Sequence, residues 1–136
     1  MDAQVVLMSS ALSEEFVRLR STLLSMDPVP RSVAVLGASG QEGASLVAAR
    51  LALSFASVKS MGKVLLAEGN VRQPSLAQVL GCPAHPGLLN WDAASPLPVL
   101  EISRPQALSV MVAGESGNPQ SLLALDDRLQ KAAEKA

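Results

Sequence analysis

Residues 36–45, LGASGQEGAS, constrain this chain more than any other stretch. An apolar run, SVAVL at 32–36, leads in, and a helix-forming run, LVAARLAL at 46–53, leads out. That order reads as strand, glycine turn and helix start. In such a turn, successive backbone N–H groups converge on one spot and the helix dipole adds partial positive charge. An anion is therefore favoured there even without side chains. The phosphate-loop pattern asks for a small residue, four variable positions, Gly, Lys and then Ser or Thr. Ala38, Gly43 and Ser45 fit it, but the lysine position holds Ala44. The scaffold is present and its charged finger is missing.

Composition bounds what can surround such a loop. With 136 residues the chain is expected to form one domain, 1–136, large enough to bury a core. Apolar residues make up 49% against 17% charged, with a net charge of -1, which argues against disorder and against nucleic-acid binding. Phe16, Phe55 and Trp91 are the aromatic residues and tyrosine is lacking, so the core must come from Ala, Val, Leu and Met. Base-stacking platforms are correspondingly scarce. One cysteine, Cys82, and one histidine, His85, supply neither an internal disulfide nor a metal site of usual spacing. The N-terminus has no signal-peptide pattern and no run reaches a membrane span, so a cytoplasmic protein is expected.

Taken in order, residues 12–25 read as a first helix, with Ser13 as cap and Phe16, Leu19, Leu23 and Leu24 on one face. The prolines at 28 and 30 end it. A strand over 32–36 is expected to enter the glycine turn, followed by a helix over 44–58 that is apolar nearly all round except for Arg50. Residues 63–67, KVLLA, form the next expected strand, parallel to the first through a right-handed crossover. At its carboxyl end the polar run EGNVRQP, 68–74, is expected to face the glycine loop, because ligands of open parallel sheets bind at that edge. Short helical turns follow at 75–80 and 87–91, then a proline-broken segment at 95–105. A third strand is expected over 108–113, and a last helix from 118 to 135.

Together these motifs resemble the cytoplasmic kinase domain of the bacterial tyrosine kinases of capsule and exopolysaccharide systems, relatives of the partitioning and septum-site ATPases. EEFVRLR at 14–20 resembles the family's pre-loop helix, and SGQEGAS at 39–45 its phosphate loop. VLLAEGNVRQPSL at 64–76 is similar to its second acidic motif, and LSVMVAG at 108–114 with NPQSLL at 118–123 to a later segment. The resemblance implies an α/β, parallel-sheet, three-layer fold of the P-loop NTPase kind, in shortened form. It also implies degenerate cofactor-binding positions: Ser39, Gly40, Gln41, Glu42, Gly43, Ala44 and Ser45 in the loop, and Glu68, Asn70 and Arg72 in the acidic motif.

The departures from the family pattern decide the expected function. The phosphate lysine is Ala44, the first acidic Asp is Glu68 and the second is Asn70. The family also continues to a third acidic strand and a tyrosine cluster. No catalytic residue, metal or cofactor is therefore expected, beyond adventitious phosphate or sulfate at the loop. The expected role is that of a non-catalytic, pseudokinase-like regulatory or scaffolding subunit, bound to a protein such as a polysaccharide chain-length regulator or export component. That places it in the cytoplasm, held near the inner membrane by its partner. Glu14, Arg18 and Arg20 are the expected interface residues, including for self-association. Two alternatives stand beside this reading. One is a nucleotide-binding enzyme that recruits Arg50, Lys59 or Lys63 as its cation; the other is a fragment of a larger kinase-like protein.

Overall fold

Three short strands form the sheet of the computed structural model, which describes residues 13–39, 43–102, 108–115 and 124–135. Strand β1 (Val64–Ala67) pairs in parallel with β3 (Leu108–Met111), in the register Val64 to Leu108 through Ala67 to Met111. Strand β2 (Leu100–Ile102) lies antiparallel on the other side of β3, giving the order β1-β3-β2. Around the sheet are α1 (Glu14–Leu24), α2 (Ala44–Ala56), the five-residue α3 (Leu76–Leu80) and α4 (Leu125–Lys135). The chain is thus a mixed α/β structure with a small mixed sheet.

Strand alternation divides the core into two halves. Leu66, Leu108, Val110 and Val112 point to one side and pack against Ala49, Ala52, Leu53 and Ala56 of α2 and Leu76 and Leu80 of α3. Met111 points to the other side, where Leu88, Trp91 and Ala132 of α4 close over it. Helix α2 can bury so much of its surface because small alanines alternate with leucines, letting it approach the sheet closely. It begins at Gly43, which has φ 77 and ψ 20, and ends before Gly62, with φ 74. Helix α3 stops at Gly81 in the left-handed region, and Cys82 N–H donates to Ala77 O at 3.0 Å, a glycine stop that satisfies a terminal carbonyl.

Helix α1 contributes no fully buried residue and rests on α2. Ser13 occupies its N-cap through the backbone, its carbonyl accepting the Val17 N–H at 3.1 Å; the side chain makes no capping bond. Arg20 fastens the helix, donating from Nη1 to Ser54 O at 2.7 Å and to Ser54 Oγ at 3.0 Å.

Two expectations about strands are corrected. Residues 32–36 form no strand: the segment belongs to no ladder, and Leu36 is 87% exposed. Its apolar pattern is that of a strand, but among the described residues no neighbouring backbone offers it a ladder. Conversely, β2 arises within the proline-broken segment. It is three residues long at a sheet edge, the place where nearby prolines are tolerated. The mixed direction of the sheet follows from β2; of the three strands expected to pair in parallel, near 32–36, 63–67 and 108–113, the last two do so, over Val64–Ala67 and Leu108–Met111. The last helix is described from Leu125; its expected start at 118 lies outside the described residues.

Candidate functional site

The carboxyl end of β1 brings the glycine loop and the polar run together. Ser75 Oγ donates to Ser45 Oγ at 2.7 Å, tying the start of α3 to the first turn of α2. Gly43 takes the left-handed conformation that L side chains rarely adopt, although a Cβ there would meet nothing within 4 Å. The need for glycine here is purely conformational. Val47 N–H donates to Gly43 O at 3.0 Å, so the amides of Ala44, Ser45 and Leu46 precede the helix ladder, as expected in a first turn. Ser39 is exposed, while Gly40, Gln41 and Glu42 lie outside the described residues.

Glu68 is the best-connected side chain at this end. Its N–H continues the sheet by donating to Met111 O at 2.9 Å. Its carboxylate turns inward, and the residue is 6% exposed. Oε1 accepts the N–H groups of Ser75 at 2.7 Å and Leu76 at 2.8 Å, and Oε2 accepts the Ala113 N–H at 3.2 Å. One carboxylate thereby joins the end of β1, the start of α3 and the tail of β3. A group that accepts three backbone donors inside the fold is a poor candidate for ligating a metal at the loop.

Asn70 does local work: its Oδ1 accepts the Gln73 N–H at 3.2 Å, a turn contact typical of Asn. Arg72 is exposed. The polar run therefore reaches the loop through Ser75, which the sequence reading did not single out. A serine directly before an apolar helical turn was the signal that could have found it. Nothing in the local sequence signals the inward turn of Glu68, because its Ala113 donor lies 45 residues away.

The cations considered for the missing lysine are poorly placed. Lys63 precedes β1, about 16 Å from Glu68 at the usual rise per strand residue. Arg50 lies seven residues into α2 from Gly43, about 10 Å along the axis. Its Nε is buried and has no hydrogen-bond partner among the described residues. Lys59 sits in the turn after α2, at the far end of that helix.

Of the expected interface residues, Glu14 and Arg18 form an exposed pair one helical turn apart, with Arg18 Nη2 3.1 Å from Glu14 Oε1. Arg20 is engaged within the chain, at the carboxyl end of α2. Its position there satisfies terminal carbonyl and hydroxyl acceptors and complements the helix dipole.

Elsewhere, a cavity of about 210 Å³ lies between the end of α3 and β2, lined by Leu80, Cys82, Pro83, Leu100, Ile102 and Val110 among others. The described residues of the glycine loop contribute nothing to it. Burial pushes the Cys82 thiol up, the reverse of what an activated nucleophile needs. His85 Nδ1 stands 3.9 Å from Glu115 Oε1 on the surface, both side chains largely exposed. Among the described residues, no helix is long and apolar enough to cross a membrane. No protein-family model, curated protein or solved structure matches the chain.

Proposed function

We propose that the chain is a non-catalytic relative of P-loop proteins, with a shortened three-layer fold of that kind. It acts as a regulatory or scaffolding, protein-binding subunit in exopolysaccharide or capsule biosynthesis or export. The link to polysaccharide rests on the motif resemblance. The observation that carries the loss of catalysis is the Glu68 carboxylate, held by three backbone N–H groups at the position where the resemblance puts a catalytic acid.

Ala44 supports the same reading. A lysine on transferring phosphates makes charge-assisted hydrogen bonds of about 1.5–3 kcal/mol each and stabilises charge in the transition state. Alanine supplies neither. The first-turn amides remain able to hold sulfate or phosphate, since that needs no side chain.

Calorimetry with ATP and magnesium tests the proposal, and the expected result is no tight binding. A radiolabelled assay is expected to show no turnover above the buffer blank. Ala44→Lys should raise nucleotide affinity without creating hydrolysis, because Glu68 would still face inward. Turnover by the unaltered chain would end the non-catalytic reading. On the partner side, co-purification with the cytoplasmic part of a polysaccharide chain-length regulator is the expected association, and its failure would remove the polysaccharide link.

A further inference from the structure

The seam between α1 and α2 carries two guanidinium groups with unused donors. Arg20 directs Nη1 to Ser54 O, Ser54 Oγ and, at 3.4 Å, Ser57 Oγ, and its other nitrogens have no partner among the described residues. Arg50 lies one turn before Ser54 on the same face of α2, since residues four apart are neighbours on a helix. Its Nε is buried without an acceptor, and no other hydrogen bond or ion pair engages it among the described residues. Both arginines are half-buried, so their free donors are partly screened from water. Of the two acids of α1, Glu14 is held by Arg18, and Glu15 is exposed and forms no ion pair with either arginine among the described residues.

Apolar surface lies beside these donors. Val47, one turn before Arg50 on α2, is 39% exposed. A planar guanidinium is matched by a carboxylate with two parallel bonds, and partial burial strengthens such a pair. A small free anion would satisfy the donors and leave the Val47 side chain in water.

We propose that this seam is the docking surface for a segment of a partner protein that presents a carboxylate beside an aliphatic side chain. The carboxylate pairs with Arg50 and the free donors of Arg20, and the aliphatic group covers Val47. Charge complementarity chooses the occupant: two cations with unused donors, neither of them in an ion pair among the described residues, call for an acidic one. The inference rests on the protein-binding reading above and names the chemistry of the partner.

A phage-displayed random peptide library panned on the full chain provides the probe. The best-enriched peptide is then synthesised, and its binding is followed by fluorescence anisotropy. Peptides with Asp or Glu next to Leu, Ile or Val are expected. Arg50→Leu should weaken binding about 30-fold or more, the scale of losing one partner of a buried charged pair. Arg50→Lys, which keeps the charge and loses the fork, should fall between. Trp91 emission and melting of each variant report folding. If Arg50→Leu does not fold, the decision passes to Arg50→Lys combined with Arg20→Lys, for which unchanged affinity would sink the proposal.

Enriched peptides without an acid, or with affinity indifferent to Arg50, would overturn the seam while leaving a protein-binding role on another face. No enrichment at all would count against both. Inorganic phosphate that binds at Arg50 where no peptide does would make this a free oxyanion site instead. A dimer in sedimentation that disappears in Arg50→Leu would assign the surface to a second copy of the chain.

Discussion

Glu68 stands where the motif resemblance puts an acidic residue of a phosphate site, and in the structure its carboxylate joins β1, α3 and the tail of β3. Hydrogen bonds to an ionised acceptor are worth about 1.5–3 kcal/mol. Glu68→Ala leaves three inward N–H groups without their acceptor, and a loss of at least about 3 kcal/mol is expected from denaturant unfolding. Glu68→Gln keeps an acceptor oxygen and should cost less; equal costs for the two would mean that charge is the whole effect. Asp92 offers a pH readout beside the sole tryptophan. The Ser95 hydroxyl, then the N–H groups of Ser95 and Ala94, lower its carboxyl to about 2. The folded value lies below the unfolded one, near 3.9, so this contribution is fully present above about pH 4 and is lost as pH falls toward 2. Trp91 Nε1 donates to Ser95 O at 3.0 Å, so its emission should register the change. Asp92→Asn is expected to flatten the emission profile between those pH values, and an unaltered profile would detach the signal from Asp92.

Among the elements, α1 has no fully buried residue and depends on the attachment of Arg20 to α2. Arg20→Met keeps the aliphatic stem but loses the bonds to Ser54, and should cost about 1.5–3 kcal/mol. Hydrogen exchange should show the loss concentrated in α1, whereas a uniform loss over the sheet would argue that α1 is part of the core. The contact of the 3-10 turn Leu88–Asn90 with β3 is tighter. Leu88 and Leu89 donate to Val112 O and Ala113 O, both at 2.9 Å, which brings Gly87 against the backbone of Gly114. A Cβ on Gly87 would strike Val112 O and the Gly114 backbone, neither of which is the flexible end of a side chain. Gly87→Ala is expected to destabilise by about 1–3 kcal/mol or more, read as a lowered melting temperature. A melting point within error of the parent would mean that the two backbones part readily. Around this contact α4 is held by Arg128 Nη1, which donates to Leu89 O at 2.6 Å, and by Lys135 Nζ, 5.2 Å from the Trp91 ring centroid.

For the whole molecule, the central question is the place of residues 32–36. Were they a central strand, replacing Val33 and Leu36 by polar residues would cost several kcal/mol, on the order of 2–5 for each large apolar core residue truncated. With Val33 46% and Leu36 87% exposed, Val33→Thr with Leu36→Ser should stay within about 1 kcal/mol of the parent, as surface changes do. A large loss of stability would restore the strand. This segment marks the limit of sequence reading. Continuous apolar runs were enough to locate β1, β3 and the central helix α2, because a parallel pair covered by helices demands them and few other arrangements tolerate them. Gly43, Gly62 and Gly81 were legible as punctuation for the same local reason: each turn needs a backbone conformation that glycine adopts freely. Membership of a sheet is different, since a strand exists only where another backbone supplies its ladder, and SVAVL carries no information about that neighbour. Strand β2 is the reverse case, a segment flanked by prolines that becomes a strand because β3 has an edge to offer. The candidate site divides along the same line. Ala44, Asn70 and the missing tyrosines could be read directly, because an absent functional group is absent in any fold. The inward turn of Glu68, the reach of Arg20 to Ser54 and the unpartnered Nε of Arg50 depend on groups far away in the chain, which only the packing of helices on the sheet brings together.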